Sequence, residues 1–322
     1  MSSAFSRIAV FGGTGFVGRH LVARLARDGH ALRVVTRAPA RHRELKVLPG
    51  VELRQADVFN DGALAQAVAG CDAVINLVGI LNEGRGAARS FDQVHMQLPA
   101  RIARVARRFD VRRFMHMSAL GVHAEAPSRY LRSKAAGELA VRNVLGDAVD
   151  CAFLRPSVIF GADDSFINRF AGLLALAPGF VPLAAADAQF APVHVRDVVE
   201  AFARVLGGPP ARGAAFELCG PQRFTLAEIV AAIAAAAGLR RRIIALPRPL
   251  ARVQAALMQW LPGKPFTPDN LRSLSVPSVC ADNACARLGI VPTALAVVLA
   301  ERFGAGQPAR TFDRLRRRYP GA

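Results

Sequence analysis

Arg7-Ile8-Ala9-Val10-Phe11-Gly12-Gly13-Thr14-Gly15-Phe16-Val17-Gly18 is the stretch on which the fold turns. A short, mostly apolar β-forming run ends in a glycine cluster. A helical pattern follows at once, with Val17, Leu21 and Leu25 spaced at four up to Asp28. Gly12, Gly15 and Gly18 fit G-x-x-G-x-x-G. Gly12 allows a tight turn, Gly15 lets a pyrophosphate approach the backbone, and Gly18 lets strand and helix pack closely. The helix that begins there turns its positive end towards a bound phosphate. Thr14, Phe16 and Val17 complete the expected cofactor contacts of the turn.

Outward from this turn the same rhythm repeats. Strands are expected at Ala31–Thr36, Val51–Gln55, Asp72–Val78, Arg113–Ser118 and Cys151–Leu154. Helices are expected at Asp61–Ala69, Phe91–Phe109 and Pro127–Leu145. Continuous apolar strands separated by amphipathic helices indicate a parallel sheet covered on both faces. The expected class is α/β: a Rossmann-type doubly wound parallel sheet with a smaller, mainly helical C-terminal lobe. Residues 1–160 would form the NAD(P)-binding domain, with 191–220 returning to it through a strand–helix pair at Phe190–Leu206 and a strand at Ala215–Leu218. Residues 161–190 and 221–322 would form the smaller lobe.

An NAD-selecting site usually has a carboxylate at the end of the second strand. Here that strand ends Val34-Val35-Thr36-Arg37. A guanidinium there suits a 2′-phosphate, so NADP(H) is expected over NAD(H), with Arg41 or Arg43 able to stand in for Arg37. Asp57, followed by Val58, either meets the adenine or caps its own turn.

Tyr130-Leu131-Arg132-Ser133-Lys134 is a Y-x-x-x-K on an expected helix, so both side chains share one face. With two tyrosines and three lysines in 322 residues, chance produces such a pair about 2% of the time. Ser118 ends the fifth strand. The three types make a catalytic set: Tyr130 as acid/base, Lys134 lowering its pKa and holding the nicotinamide ribose, and Ser118 polarising the substrate oxygen.

The 322 residues carry 42 Lys+Arg against 24 Asp+Glu, a formal net charge of +18. Only Lys46, Lys134 and Lys264 are lysines, so the excess is arginine in an Ala-rich chain. That is a compositional skew rather than a nucleic-acid face. No nucleic acid is expected. The five cysteines (Cys71, Cys151, Cys219, Cys280, Cys285) are scattered without C-x-x-C, which argues against a disulfide framework or a metal site and suits a reducing compartment. The first residues lack the apolar stretch of a signal peptide, and no run is long enough to span a membrane, so the expected location is cytoplasmic.

The glycine turn, Asp57, Asn76–Gly79, Ser118, the Y-x-x-x-K and Leu154–Ser157 together resemble the short-chain dehydrogenase/reductase superfamily. VFGGTGFVGRHLV (10–22), INLVGIL (75–81), FDQVH (91–95), HMSALG (116–121), SKAAGE (133–138), LRPSVIFG (154–161), FINRFA (166–171) and PVHVRDV (192–198) resemble one atypical branch of it. That branch contains the NAD(P)-binding accessory subunit of respiratory complex I, alpha-subcomplex subunit nine, and its bacterial relatives. Residues 249–274 look like that branch too. The resemblance implies Asn76, Val78 and Gly79 at the cofactor wall, Ser118, Tyr130 and Lys134 around the nicotinamide, and Pro156 and Ser157 on its far side. It departs from the nucleotide-sugar enzymes, which carry Asn-Val-x-Gly-Thr where this chain has Val94-His95-Met96-Gln97-Leu98. His95 is a candidate for the proton relay, weighed against a structural histidine.

The expected function is therefore an NADP(H)-dependent oxidoreductase acting on a carbonyl or alcohol, with no metal. The alternative is an NADPH-holding accessory or assembly protein of a membrane redox system, complex I or a quinone pathway, with peripheral attachment to the inner face of the membrane. A nucleotide-sugar epimerase or dehydratase is a third reading. Phe160, Phe166, Phe170, Phe180 and Phe190 suggest an apolar small-molecule substrate, or a core. Leu250, Val253, Leu257, Trp260 and Leu261 form one helical stripe, expected to pack on the main domain rather than to meet a membrane with Arg240–Arg242 and the tail Arg314–Arg318.

Overall fold

The computed structural model describes residues 5–84, 86, 90–261 and 264–303. Strands β1 (Arg7–Phe11), β2 (Ala31–Thr36), β3 (Val51–Gln55), β4 (Ala73–Asn76), β5 (Arg113–Met117) and β6 (Asp150–Pro156) alternate with helices α1 (Phe16–Arg27), α2 (Arg43–Lys46), α3 (Asp61–Val68), α4 (Leu98–Arg108) and α5 (Arg129–Leu145). Then come β7 (Ile159–Phe160), α6 (Ser165–Leu176), β8 (Phe180–Leu183), β9 (Gln189–Phe190), β10 (Val193–His194), α7 (Val195–Gly207) and β11 (Ala215–Leu218). The remainder comprises β12 (Phe224–Thr225), α8 (Leu226–Ala236), β13 (Arg242–Ala245), α9 (Arg248–Met258), α10 (Pro268–Ser273), α11 (Ala284–Arg287) and α12 (Leu295–Phe303).

Seven strands form one parallel sheet in the order β11-β6-β5-β4-β1-β2-β3. Strand direction of travel reverses between β1 and β4, and the crevice at their carboxyl ends is where such sheets bind ligands. Alternate residues of the buried strands feed two cores. Ile8, Val10, Ile75, Met115 and Leu154 pack under α1 and α7, while Ala9, Phe11, Val74, Phe114 and Phe153 pack under α3, α4 and α5. That double burial is why the strands read as unbroken apolar runs.

Four local expectations need correction. The strand at 193–194 pairs with β7 and stays out of the main sheet, whereas β11 does return to it beside β6. The helix expected from Phe91 begins with a π-helical stretch, Asp92–Gln97, before α4. The second lobe is less purely helical than expected, because β8 and β13 form a parallel pair and β9 and β12 an antiparallel one. Its own core gathers Phe160, Ile167, Leu174, Phe190, Ile229, Ile233 and Val298. Phe160, Phe166, Phe170 and Phe190 thus belong to packing, and Phe180 faces solvent, so these rings do not line an apolar pocket.

The fourth correction concerns sulfur. Cys219, just past β11, is disulfide-bonded to Cys280, while Cys71, Cys151 and Cys285 are free and buried. The pairing crosses 61 residues of sequence and exists because the segment around Ser278 lies across the carboxyl ends of β6 and β11. No local spacing could reveal it, and the compartment argument drawn from scattered cysteines falls with it.

Candidate functional site

The glycine turn has the shape its spacing demands. Gly12 sits at φ +77°, and a Cβ there would come within 2.9 Å of the Leu77 backbone. A Cβ on Gly18 would lie 2.2 Å from Gly12 O, so strand end and helix can approach only without side chains. At Gly15 only Gly12 O lies close, at 3.3 Å, leaving its outer side open. Gly15 also opens α1 without a side-chain cap for the first-turn N–H groups. These groups fit a pyrophosphate on the helix's positive end. Thr14 and Phe16 are half-buried beside them, and Val17 turns into the core.

At the far end of the crevice Arg37 is exposed immediately after β2, where the adenosine ribose of a bound dinucleotide would lie. Asp57 accepts the backbone N–H of Phe59 at 3.0 Å, which makes it the cap of its own turn. Its neighbour Val58 is half-buried against the α3 side of the core. Asn76 is fully buried. Its Oδ1 accepts from Val78 N at 3.1 Å and its Nδ2 faces His116 Nδ1 at 3.1 Å, so its amide braces the wall from behind.

Gly79 brings that wall to the candidate catalytic residues. A Cβ there would stand 3.2 Å from Lys134 Nζ. Lys134 is buried and donates to Met117 O at 3.1 Å, the carbonyl next to Ser118. Burial drives its pKa down to about 8, with Glu138 pulling the other way. Ser118 is buried too, and its Oγ has no hydrogen-bond partner among the described residues. A buried hydroxyl left unsatisfied is costly, roughly 1–3 kcal/mol, and a carbonyl oxygen brought to it would remove that cost.

Tyr130 stands edge-on to Phe91 and His95, with ring centroids 5.9 and 5.5 Å away. Burial pushes its pKa up to about 12. The expected lowering by Lys134 is therefore absent. Burial alone sets the direction, and the phenol keeps its proton at neutral pH.

His95 is fully buried and both ring nitrogens are engaged. Nε2 accepts from Ile80 N at 3.0 Å and Nδ1 faces Ser133 Oγ at 2.8 Å, whose hydroxyl donates to Tyr130 O at 2.7 Å. Burial first, then the charge of Lys134, push its pKa down to about 2. A neutral ring with both nitrogens engaged is placed to orient its neighbours. The π-helical stretch carries it against α5, which Gly137 permits: a Cβ there would lie 1.9 Å from His95 O. Pro156 O accepts from Leu120 N, and Ser157 donates to Ser278 O at 2.7 Å, so the Ser157 hydroxyl clasps the segment from the second lobe.

Asp269, on α10, was invisible to motif reading. Its two oxygens accept the N–H groups of Arg129 and Tyr130 at 2.8 and 3.0 Å, and Ser128, the N-cap, accepts the third N–H of the same turn from Leu131. The first turn of the tyrosine's helix is thus capped from the other lobe, 139 residues away in sequence. Glu83 adds a second tie, pairing with Arg129 and accepting Lys264 Nζ at its carbonyl.

The sequence pattern of the NAD dependent epimerase/dehydratase family matches residues 8–218, the whole of the sheet from β1 to β11. The chain belongs to that family. Family members bind NAD(P), and the glycine turn and wall just described fit that ligand. Alpha subcomplex subunit 9 of the mitochondrial NADH dehydrogenase [ubiquinone] 1 of Rattus norvegicus is 33% identical over 298 residues, 89% of this chain and 76% of that protein. A protein of Caulobacter vibrioides named ceramide reductase is 33% identical over 250 residues, 75% of this chain and 74% of its own length. Among solved structures, DesIV, a dTDP-glucose 4,6-dehydratase from Streptomyces venezuelae with NAD and TYD bound, superposes with a TM-score of 0.72. It is 21% identical and covers 97% of this chain and 98% of its own, which speaks to the fold alone.

Proposed function

We propose that the protein is an NADP(H)-dependent reductase of a carbonyl group on a lipid-like small molecule. The observation that carries this is Ser118 Oγ, buried and unpartnered beside the carbonyl that anchors Lys134. The bound dinucleotide would supply the hydride. Ser118 would donate a hydrogen bond to the substrate oxygen, and Tyr130 would give that oxygen its proton. The phenol keeps its proton at neutral pH, as the reductive direction requires. Lys134, in reach of the wall at Gly79, would hold the nicotinamide ribose. Arg37, free of a neighbouring carboxylate at the end of β2, supports NADP(H) over NAD(H). The substrate class is supported by the Caulobacter relative named as a ceramide reductase.

A second reading is favoured by the rat relative: an NADPH-holding accessory protein of a membrane redox complex, on the cytoplasmic side and peripheral to the inner face of the membrane. The two separate on one measurement. Purified protein is chased with excess NADP⁺, denatured, and the released nucleotide identified by mass spectrometry, alongside turnover of NADPH with long-chain ketones. Full exchange with turnover that Tyr130→Phe lowers by about 10²-fold or more, nucleotide affinity unchanged, supports the reductase. Retained NADPH without turnover supports the accessory role. No bound nucleotide at all would overturn both.

A further inference from the structure

The apolar stripe of residues 250–261 does not pack on the main domain. Helix α9 turns Ala251 and Ala255 inward, while Leu250, Val253 and Leu257 face outward. Trp260 and Leu261, just past the helix end, prolong the same face, with Trp260 83% exposed and Leu257 67% exposed. Neighbouring elements carry further exposed apolar side chains. Gln254 Nε2 donates to Pro182 O, setting α9 beside β8, where Phe180 is half exposed, and β13 next to it carries the exposed Ile244. Arg241 donates to Leu174 O at the end of α6, whose Leu176 is 86% exposed.

The segment of chain that carries this face is charged with one sign. Residues 229–268 contain Arg240, Arg241, Arg242, Arg248, Arg252 and Lys264 and no Asp or Glu. Arg240, Arg242, Arg248 and Arg252 are exposed, and none of these four makes an ion pair among the described residues. Arg252 lies off the stripe on the helical projection, and its long side chain is exposed to solvent. A second copy of this chain is disfavoured as the occupant, because self-pairing would set two uncompensated cationic rims against each other.

We propose that this face docks the protein on the surface of an anionic phospholipid bilayer. Leu250, Val253, Leu257, Trp260 and Leu261 would enter the headgroup–acyl boundary, and Arg248, Arg252, Arg240 and Arg242 would meet lipid phosphates. An amphipathic helix with an indole at its end and arginines beside it is built to lie in that interface. The docking deepens the membrane-side reading above, and it places the lobe that caps Tyr130 through Asp269 against the phase in which a lipid-like substrate dissolves. No helix among the described residues is long and apolar enough to cross a membrane, so attachment is from the surface.

Trp260 is the only tryptophan in the chain, so it reports on its own docking. The full-length protein is titrated with vesicles of phosphatidylcholine plus phosphatidylglycerol, and with phosphatidylcholine alone. Emission and sedimentation with the vesicles are followed together. The expected result is a blue shift and co-sedimentation with the anionic vesicles that weakens with salt. Each neutralised arginine in Arg248→Gln/Arg252→Gln should weaken binding roughly fivefold. Val253→Ser/Leu257→Ser, at exposed positions that leave the fold intact, should abolish it, with nucleotide binding unchanged in both variants. An emission that stays fixed with anionic vesicles overturns the proposal. So does concentration-dependent dimerisation that the serine variant removes, which would make the occupant a second copy. Capture of an acidic protein through the same residues without vesicle binding overturns it as well. Each of these outcomes leaves the turnover test of Tyr130 untouched.

Discussion

The sheet of residues 7–160 and the lobe built from residues 161–190 and 221–303 are both packed around apolar cores, yet they are specified differently. In the sheet every pairing is parallel and follows a repeating strand–helix–strand unit, even where, as at Ile8 and Ala73, the partners lie 65 residues apart. In the lobe, β8 finds β13 about sixty residues on, and α12 closes the core with α8 from the far end of the chain. The sheet is held by pattern, whereas the lobe is held to it by a few long-range pins: Asp269 on α5, Glu83 with Arg129 and Lys264, Ser157 on Ser278, and the Cys219–Cys280 bond. A site shared between such halves inherits rigidity from one and alignment from the other.

The largest way to break the comparison is Gly18→Val. Its side chain has no space beside Gly12 O, so the loss should exceed about 3 kcal/mol, and the variant should fail to give a cooperative thermal transition or to bind nucleotide. A soluble, nucleotide-binding variant would show that the turn is not the keystone of the first half.

Cys219→Ser should act on the lobe alone. Closing a loop of this length in the unfolded chain is worth about 4 kcal/mol on the chain-entropy view, and about 2 of that should be visible as a lowered denaturation midpoint. Nucleotide affinity should survive. Equal loss of nucleotide binding would mean the lobe also holds the sheet.

Lys134 sharpens the comparison through pH. Its folded-state pKa, about 8, lies below the ordinary 10.5. Below about 8 both folded and unfolded states carry the proton, and folding bears the full cost of burying an ammonium. Between about 8 and 10 the folded state sheds the proton first, so stability should rise at up to about 1.4 kcal/mol per pH unit. Lys134→Met should remove that rise, so urea titrations at pH 7 and 9.5 should show the variant's advantage shrinking. A constant difference between them would mean Lys134 is not buried in solution.

Asp269→Ala should cost least in stability, about 1 kcal/mol, as expected for two first-turn N–H groups losing an anionic cap. Its signature is a lower kcat at unchanged nucleotide affinity, because the loosened turn is the one that carries Tyr130. Asp269→Asn should restore part of it. Unaltered kcat would make Asp269 a stability pin only.

How legible the molecule was follows from the range of each interaction. Gly12, Gly15 and Gly18 announce their task because strand, turn and helix are consecutive, and sterics act within a dozen residues. Tyr130 and Lys134 announce theirs because four residues of helix place both on one face. Asn76 and Ser157 were named as candidate site residues, but the partners that occupy their polar atoms, His116 and Ser278, were not readable, whereas the turn that Asp57 caps was one of the two readings offered for it. His95 was readable as a candidate, and only its bonds to Ile80 N and Ser133 show that it orients rather than titrates.

The sequence by itself determined the doubly wound sheet and the shape of its glycine turn, because each rests on local spacing and on burial patterns that repeat every strand; it also named Ser118, Tyr130 and Lys134 as the set proposed for catalysis. Tertiary structure alone decided the protonation of Tyr130 and Lys134, the Cys219–Cys280 pairing, the capping of α5 by Asp269 and the exposure of the Trp260 face. Those depend on which distant surfaces meet and how much water they exclude, and neither quantity is written in the order of neighbouring residues.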